Sequence, residues 1–238
     1  MVNLDEEEKR VVELDGFWVP RIEKHRYSAL GRFEGIPDQD VRKLKKVIDL
    51  VSRRTCALDI GGNIGTTATL LARYFSSVEA FEPAPDLFVA LSKNLASHVN
   101  ATPRQCAIGE EAGEVYLTQY VTHGQLSHLS TGKAIDDVET RKVGPIPLRT
   151  VDSFGFVDVS FIKIDVEGFE GPVVRGAENT IRRFRPAILV EQAGNEQKFF
   201  GLPRNEAADH LRSLGMIEHP SPPKMSKDMF FVFPEQVA

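Results

Sequence analysis

Apolar residues in this chain recur in short bursts whose period changes along the sequence, and those changes divide it. Val41, Leu44, Val47, Ile48 and Val51 fall at helical spacing after the turn Gly35-Ile-Pro37-Asp38 and predict an amphipathic helix lying on a neighbouring core. The whole segment before about Arg54 is charged and mostly helical in pattern, so residues 1–54 are expected to form a helical arm or cap. From there, short apolar strands alternate with helices. Cys56-Ala-Leu-Asp59-Ile predicts a first strand, Gly61 to Gly65 a turn, and Thr66 to Phe75 a helix. Val78-Glu-Ala-Phe81-Glu82 predicts a second strand, Pro83-Ala-Pro85-Asp86 opens a helix running to about His98, and the residues near Arg104 to Ile108 make a third strand.

Between Val115 and Leu148 the apolar positions alternate among Gly124, Gly132, Gly144, Pro145 and Pro147, which predicts an inserted hairpin or mobile loop rather than a helix. The alternation of elements then resumes. Val159 to Asp165 is a strand, Pro172 to Phe184 a helix, Ala187 to Glu191 a strand, and Glu206 to Leu214 a helix ended by Gly215. Met216-Ile217 and Met229 to Phe233, separated by Pro220-Ser-Pro-Pro-Lys224, suit a terminal antiparallel hairpin. The prediction is a Rossmann-like α/β fold over residues 55–238: a doubly wound, mostly parallel seven-stranded sheet with an insert around 115–148. Ligands in such sheets bind at the carboxyl ends of strands, where the strand order reverses.

Composition narrows the class. The chain has 238 residues with 29 Lys plus Arg against 34 Asp plus Glu, a net charge of −5, which argues against a nucleic-acid partner held by many phosphate contacts. The basic stretches Arg42 to Lys46 and Arg182 to Arg185 lie on helices with apolar neighbours and read as solvated faces. No apolar run approaches the roughly 18 residues of a bilayer span, and Met1 to Arg10 is too acidic for a signal peptide, so a cytoplasmic protein is expected. Cys56 and Cys106, each beside apolar residues and without metal-ligand spacing, read as buried free thiols, and zinc is disfavoured.

The chemistry begins at Leu58-Asp59-Ile-Gly61-Gly62-Asn63-Ile-Gly65. A dinucleotide fingerprint starting at Gly61 requires glycine at 63 and 66, where the chain has Asn63 and Thr66. Instead a carboxylate, Asp59, ends the strand before the turn. It would repel a pyrophosphate and suits a cationic ligand; S-adenosylmethionine carries a sulfonium and an α-ammonium. Glu82 ends the second strand about 20 residues on, where an acid can accept hydrogen bonds from both ribose hydroxyls, and Pro83 restricts it to an extended backbone.

With these segments the chain resembles the class I S-adenosylmethionine-dependent methyltransferases, and the FkbM family in particular. The resemblance rests on Leu58 to Gly65, Ala80-Phe-Glu-Pro-Ala-Pro85, Leu91-Ser-Lys-Asn-Leu95, Val151-Asp-Ser153, Phe161-Ile-Lys-Ile-Asp-Val-Glu-Gly-Phe-Glu170 and Ile188-Leu-Val-Glu191. The family pattern usually has Ala at the position of Gly62. The resemblance implies that Asp59, Gly61, Asn63, Gly65, Glu82 and Pro83 bind the cofactor, that Ala107 and Ile108 lie by the adenine, and that the reaction is O-methylation of a small molecule or glycan: a sugar, a glycolipid or polysaccharide precursor, or a secondary metabolite. The alternatives are an NAD-dependent oxidoreductase and a non-catalytic nucleoside-binding domain.

Transfer to a hydroxyl calls for a base and for in-line positioning. Strand alternation would put Lys163, Asp165 and Glu167 on one face, with Glu191 beside them on the next strand. Asp165 and Glu167 are the catalytic candidates, and Lys163 is equally explained as an ion-pair partner. His128, flanked by Ser127 and Ser130 in the insert, is a third candidate for the base, ahead of His123. Asp165, Glu167 and Glu191 also offer oxygen ligands to magnesium, although their spacing requires no metal. Trp18 and Tyr27 would cover a sugar ring, anchor the arm, or contact a second copy of the chain.

Overall fold

The computed structural model describes residues 10–38, 41–120, 128–130, 140–192, 196–220 and 228–237. In chain order its elements are β1 (Val11–Leu14), β2 (Phe17–Pro20), α1 (Lys24–Ser28), β3 (Arg32–Phe33), β4 (Ile36–Pro37), α2 (Val41–Ile48), β5 (Cys56–Ile60), α3 (Thr66–Leu71), β6 (Ser77–Phe81), α4 (Pro85–Leu95), β7 (Ala101–Arg104), β8 (Ala107–Ile108), β9 (Gly113–Tyr120), β10 (His128–Ser130), β11 (Thr140–Arg149), β12 (Val159–Ile164), α5 (Glu170–Arg175), α6 (Glu178–Phe184), β13 (Ala187–Glu191), α7 (Glu206–Ser213), β14 (Ile217–Glu218) and β15 (Asp228–Val232).

The main sheet has seven strands in the order β14-β15-β13-β12-β5-β6-β7. β7, β6, β5, β12 and β13 run parallel, while β15 pairs antiparallel with β13 and with β14. The doubly wound sheet and the terminal hairpin are as the sequence predicts. Strand order reverses between β5 and β12, so the carboxyl ends of those two strands flank the switch point.

Period-two alternation gives each parallel strand two apolar faces. Ala57, Ala80, Phe161 and Leu189 join one buried cluster with α2, α3 and α4, whereas Leu58, Ile60, Ile162, Ile164 and Val190 join another with α5, α6 and α7. Buried strands sheathed by helices on both sides result.

Several boundaries differ from the sequence expectation. Among its described residues the segment before Arg54 is not mainly helical: β1 pairs with β2 and β3 with β4 in two hairpins, alongside a 3-10 turn at Arg21–Glu23 and the helices α1 and α2. Asp15 and Gly16, at φ 50° and 78°, make the tight turn between β1 and β2. Val11, Phe17, Val19 and Tyr27 are buried in the same cluster as Leu70 and Leu91. The third strand of the sheet is Ala101–Arg104, and Ala107–Ile108 turns away to pair parallel with β11 in a second sheet, ordered β10-β9-β11-β8. In that sheet β9 and β11, from the segment expected to be a hairpin or a mobile loop, pair antiparallel. The helix expected from Pro172 to Phe184 breaks into α5 and α6 at Gly176, where a Cβ would sit 1.9 Å from the Gly109 carbonyl oxygen. Asp152 caps α6, accepting from the amides of Asn179 and Thr180 at 3.0 and 2.8 Å.

Candidate active site

Two loops meet at the switch point. The first is the glycine turn after β5, whose Gly61 and Gly62 amides both donate to the Phe81 carbonyl at 3.0 and 2.8 Å. The second follows β12, where the Asp165 amide donates to the Ile60 carbonyl at 3.0 Å. Gly61, at φ 88°, is glycine because of this meeting: a Cβ there would lie 1.8 Å from the backbone oxygen of Asp165. Gly62 has no such restriction, since its Cβ would meet Leu91 and the Phe81 carbonyl at an ordinary 3.5 Å. The family's usual alanine fits there.

Gly61→Ala is therefore expected to destabilise the fold by at least about 3 kcal/mol, combining left-handed strain with a backbone collision. Gly62→Ala should change stability by no more than about 1 kcal/mol. Urea denaturation of the two variants checks the pair, and equal losses would refute the packing argument.

Asp59, next to last in β5, is fully buried, and among the described residues neither carboxylate oxygen has a hydrogen-bond partner of ordinary geometry. Burial pushes its pKa up to about 7; the Lys163 ammonium opposes this, Asp165 adds to it, and the Ala68 amide, turned toward it, lowers it slightly. Glu82 directly follows β6 and is also buried. Its two oxygens accept from the Asn63 and Ala84 amides, each at 2.8 Å. Burial pushes its pKa up to about 8, against those two amides. Two buried acids of raised pKa flank a turn where Asn63 is left-handed at φ 50°. Such a site gains from a cationic ligand or one rich in hydroxyl donors.

The acidic loop is built differently from the strand alternation expected. β12 stops at Ile164, and Glu167 and Gly168 adopt positive φ values of 54° and 102°, so a turn rather than a strand presents Glu167. Glu170 closes that turn by accepting from the Val166 and Gly168 amides at 3.2 and 3.0 Å. Nothing in the spacing of the sequence marked Glu170 out from a helix-terminal charge.

Lys163 lies level with Asp59 on the neighbouring strand, and its ammonium is 2.9 Å from Asp165. Burial works against that ammonium, but Asp165, Asp59 and Asp228 outweigh it and raise its pKa. Glu191 on β13 stands opposite Asp228 of β15. Burial raises the Glu191 pKa, and hydrogen bonding and repulsion from Asp165 raise it further, with Glu167 and Asp228 adding to the effect. Lys163, Asp165, Glu167 and Glu191 thus converge as the sequence suggests, joined by Asp228, which the sequence reading passed over.

The remaining candidates are placed less closely. Pro83 directly follows Glu82 and is half-buried. Ala107 and Ile108 are buried in β8, and Ile108 packs in the cluster of Leu58, Ile60 and Phe81 behind the glycine turn. The backbone of His128 pairs with Thr118 on the inserted hairpin, while its side chain, like all of His123, lies outside the described residues. Among the described residues no three His, Cys, Asp or Glu side chains are arranged to hold a metal ion, and no helix is long and apolar enough to cross a membrane.

The model of the Methyltransferase FkbM domain matches residues 59–219, from the Asp59 carboxylate through the acidic loop to the terminal hairpin. The chain belongs to the FkbM methyltransferase family. It is similar to Methyltransferase 1 of Beauveria bassiana, with 31% identity over 164 residues covering 60% of this chain and 66% of that protein. It is also similar to the hexuronic acid methyltransferase AglP of Haloferax volcanii, with 27% identity over 168 residues covering 68% of this chain and 65% of that protein. The chain thus spans about two thirds of the length of these curated relatives. Among solved structures, Methyltransferase FkbM from Methylobacillus flagellatus KT superimposes with a TM-score of 0.50 and 15% identity over 95% of this chain and 57% of that one, a likeness of fold.

Proposed function

We propose that this methyltransferase uses S-adenosylmethionine to methylate a hydroxyl group, most naturally of a sugar, a glycolipid or polysaccharide precursor, or a secondary metabolite. The observation that carries the reading is the pair of buried strand-end acids around the glycine turn, above all the fully buried Asp59 carboxylate, whose pKa burial raises to about 7. Family membership supports methyl transfer, and the hexuronic acid methyltransferase among the relatives supports a sugar acceptor.

The residues present fit such a cofactor. Glu82 would accept from the ribose hydroxyls with the lone pairs its amide partners leave over, Asp59 would attract the cationic end, and Ile108 would pack by the adenine. When bound, S-adenosylmethionine supplies a methyl group on a sulfonium and leaves as a neutral thioether. Asp165 would take the proton that the acceptor hydroxyl loses as its oxygen bonds to the methyl carbon. The Lys163 ammonium donates to Asp165 at 2.9 Å, and the raised pKa of Glu191 leaves Glu191 as the protonated neighbour that hydrogen-bonds it. Glu167, at the rim of the same turn, would orient the acceptor.

A thermal-shift panel tests the cofactor. S-adenosylmethionine and S-adenosylhomocysteine at about a hundred times their dissociation constants should stabilise the protein by about 2.7 kcal/mol, with NAD giving no shift. A shift with NAD alone would favour the oxidoreductase reading. Binding without transfer of labelled methyl to a glycan and metabolite panel would favour a nucleoside-binding domain.

A further inference from the structure

Two features of the chain have no part in the mechanism above: the amino-terminal hairpin and the Leu91-Ser-Lys-Asn94-Leu95 segment of α4. Both touch the glycine turn. Asn94 accepts from the Trp18 amide at 2.6 Å and donates through Nδ2 to the carbonyls of Trp18 at 2.8 Å and Ile64 at 2.7 Å, so one side chain fastens β2 to the turn. Tyr27 of α1 is fully buried, and its hydroxyl donates to Asn63 Oδ1 at 3.2 Å. The same Oδ1 accepts from the Ile64 amide at 2.7 Å, while the Asn63 amide donates to Glu82. Hydroxyl, Asn63 and Glu82 therefore form one chain of hydrogen bonds that runs from the arm into the cofactor cleft.

Asn63 needs such support. It is a non-glycine residue at φ 50° in the middle of the turn, a conformation that costs energy unless its surroundings fix it. The Tyr27 hydroxyl fixes the Asn63 side chain from the arm side, and Asn94 fixes the next residue from the helix side. Within α1 the Arg26 guanidinium lies 5.3 Å from the Tyr27 ring centroid and meets Glu23, the residue before the helix, at 3.3 Å.

We infer that Tyr27 is a positioning residue for the cofactor turn: docking of the amino-terminal arm sets the left-handed Asn63 and, through its amide, aims the Glu82 carboxylate. This rests on the cofactor reading given above, and it assigns the arm a role in nucleoside affinity without contact between Tyr27 and the reacting atoms.

Tyr27→Phe removes the hydroxyl and keeps the buried ring. The dissociation constant for S-adenosylmethionine, measured by calorimetry, should rise about five- to tenfold, the size of one lost hydrogen bond, and KM for S-adenosylmethionine should rise with it while kcat changes little. Asn63→Gly retains the backbone conformation and removes the accepting oxygen. In that background Tyr27→Phe should cause no further loss, because the two residues act as one unit. Hydrogen exchange of the unliganded protein supplies a readout independent of any ligand: Tyr27→Phe should speed exchange at the Asn63 and Ile64 amides about tenfold, with the α2 amides unchanged. Equal affinity losses in both backgrounds, or unaltered exchange at Asn63 and Ile64, would overturn the positioning role. Should the wild-type protein bind no S-adenosylmethionine, the cofactor reading falls, and the exchange measurement alone then upholds or overturns the Tyr27 linkage.

Discussion

Asp165→Asn should lower kcat about 10²- to 10⁴-fold while leaving the affinity for S-adenosylmethionine nearly unchanged, the range expected when a positioned general base is removed. Asparagine has the same shape and can still accept from Lys163, so the loop that meets Gly61 through its backbone carbonyl is retained. What disappears is proton-accepting capacity and one negative charge. The second loss has its own signature. Asp165 is the main neighbour raising the pKa of Glu191, through a hydrogen bond and through repulsion, so the Glu191 carboxyl should titrate at lower pH in the variant. Carbon-13 NMR of that carboxyl separates a failed base from a disordered loop: a fall in its pKa together with lost turnover supports the assignment. Turnover near wild type would pass the role to Glu167 or His128, and Glu167→Gln and His128→Ala then discriminate between the two.

The strand-end acids were legible in the sequence because two independent regularities coincide on them. Alternating strands and helices put Asp59 and Glu82 at carboxyl ends, and Pro83 held the second at a rim. The acidic loop was legible in content and misjudged in shape. Counting alternate residues through Lys163, Asp165 and Glu167 assumes that the strand continues, whereas the backbone turns left-handed at Glu167; the signal was Gly168 immediately after it. The amino-terminal hairpin was missed for a related reason. The density of charge there mimics a solvated helix, although Val11-Val-Glu-Leu14, Asp15-Gly16 and Phe17-Trp-Val19 spell two strands around a dipeptide that tolerates positive φ at both positions. The break at Gly176 goes with the close approach of Gly109, and the departure of Ala107–Ile108 with their pairing to Leu148 and Arg149, contacts between residues distant in sequence. Local periodicity carries no trace of such a contact.

Replacing Glu82 should have the largest effect on cofactor binding, because its carboxylate closes the turn and, on the proposed function, would accept from the ribose. Glu82→Ala is expected to weaken S-adenosylmethionine binding by about 1.5 to 3 kcal/mol, the cost of a lost charged hydrogen bond, or about ten- to 150-fold. The pH dependence distinguishes a ribose acceptor from a purely structural acid. In the free protein burial holds Glu82 protonated up to about pH 8, well above the ordinary 4.5. Between those values the folded state binds the proton that the unfolded state has released, so this residue's contribution to stability falls as pH rises from about 4.5 to 8 and then levels. Ligand affinity moves the other way. Ribose hydroxyls are donors and favour the ionised carboxylate, so S-adenosylmethionine should bind more tightly as pH rises from 6 to 8 and should expel a proton below 8. Asp59, titrating near 7, contributes the lower part of that rise by attracting the cationic end of the ligand. Calorimetry in buffers of different ionisation enthalpy counts the expelled protons. In Glu82→Gln the rise centred near 8 should vanish and the one near 7 remain; adenosine, which lacks the sulfonium and the ammonium, should show the reverse in the wild-type protein. An unchanged pH profile in Glu82→Gln would remove Glu82 from the ribose and leave it only its bonds to the amides of Asn63 and Ala84.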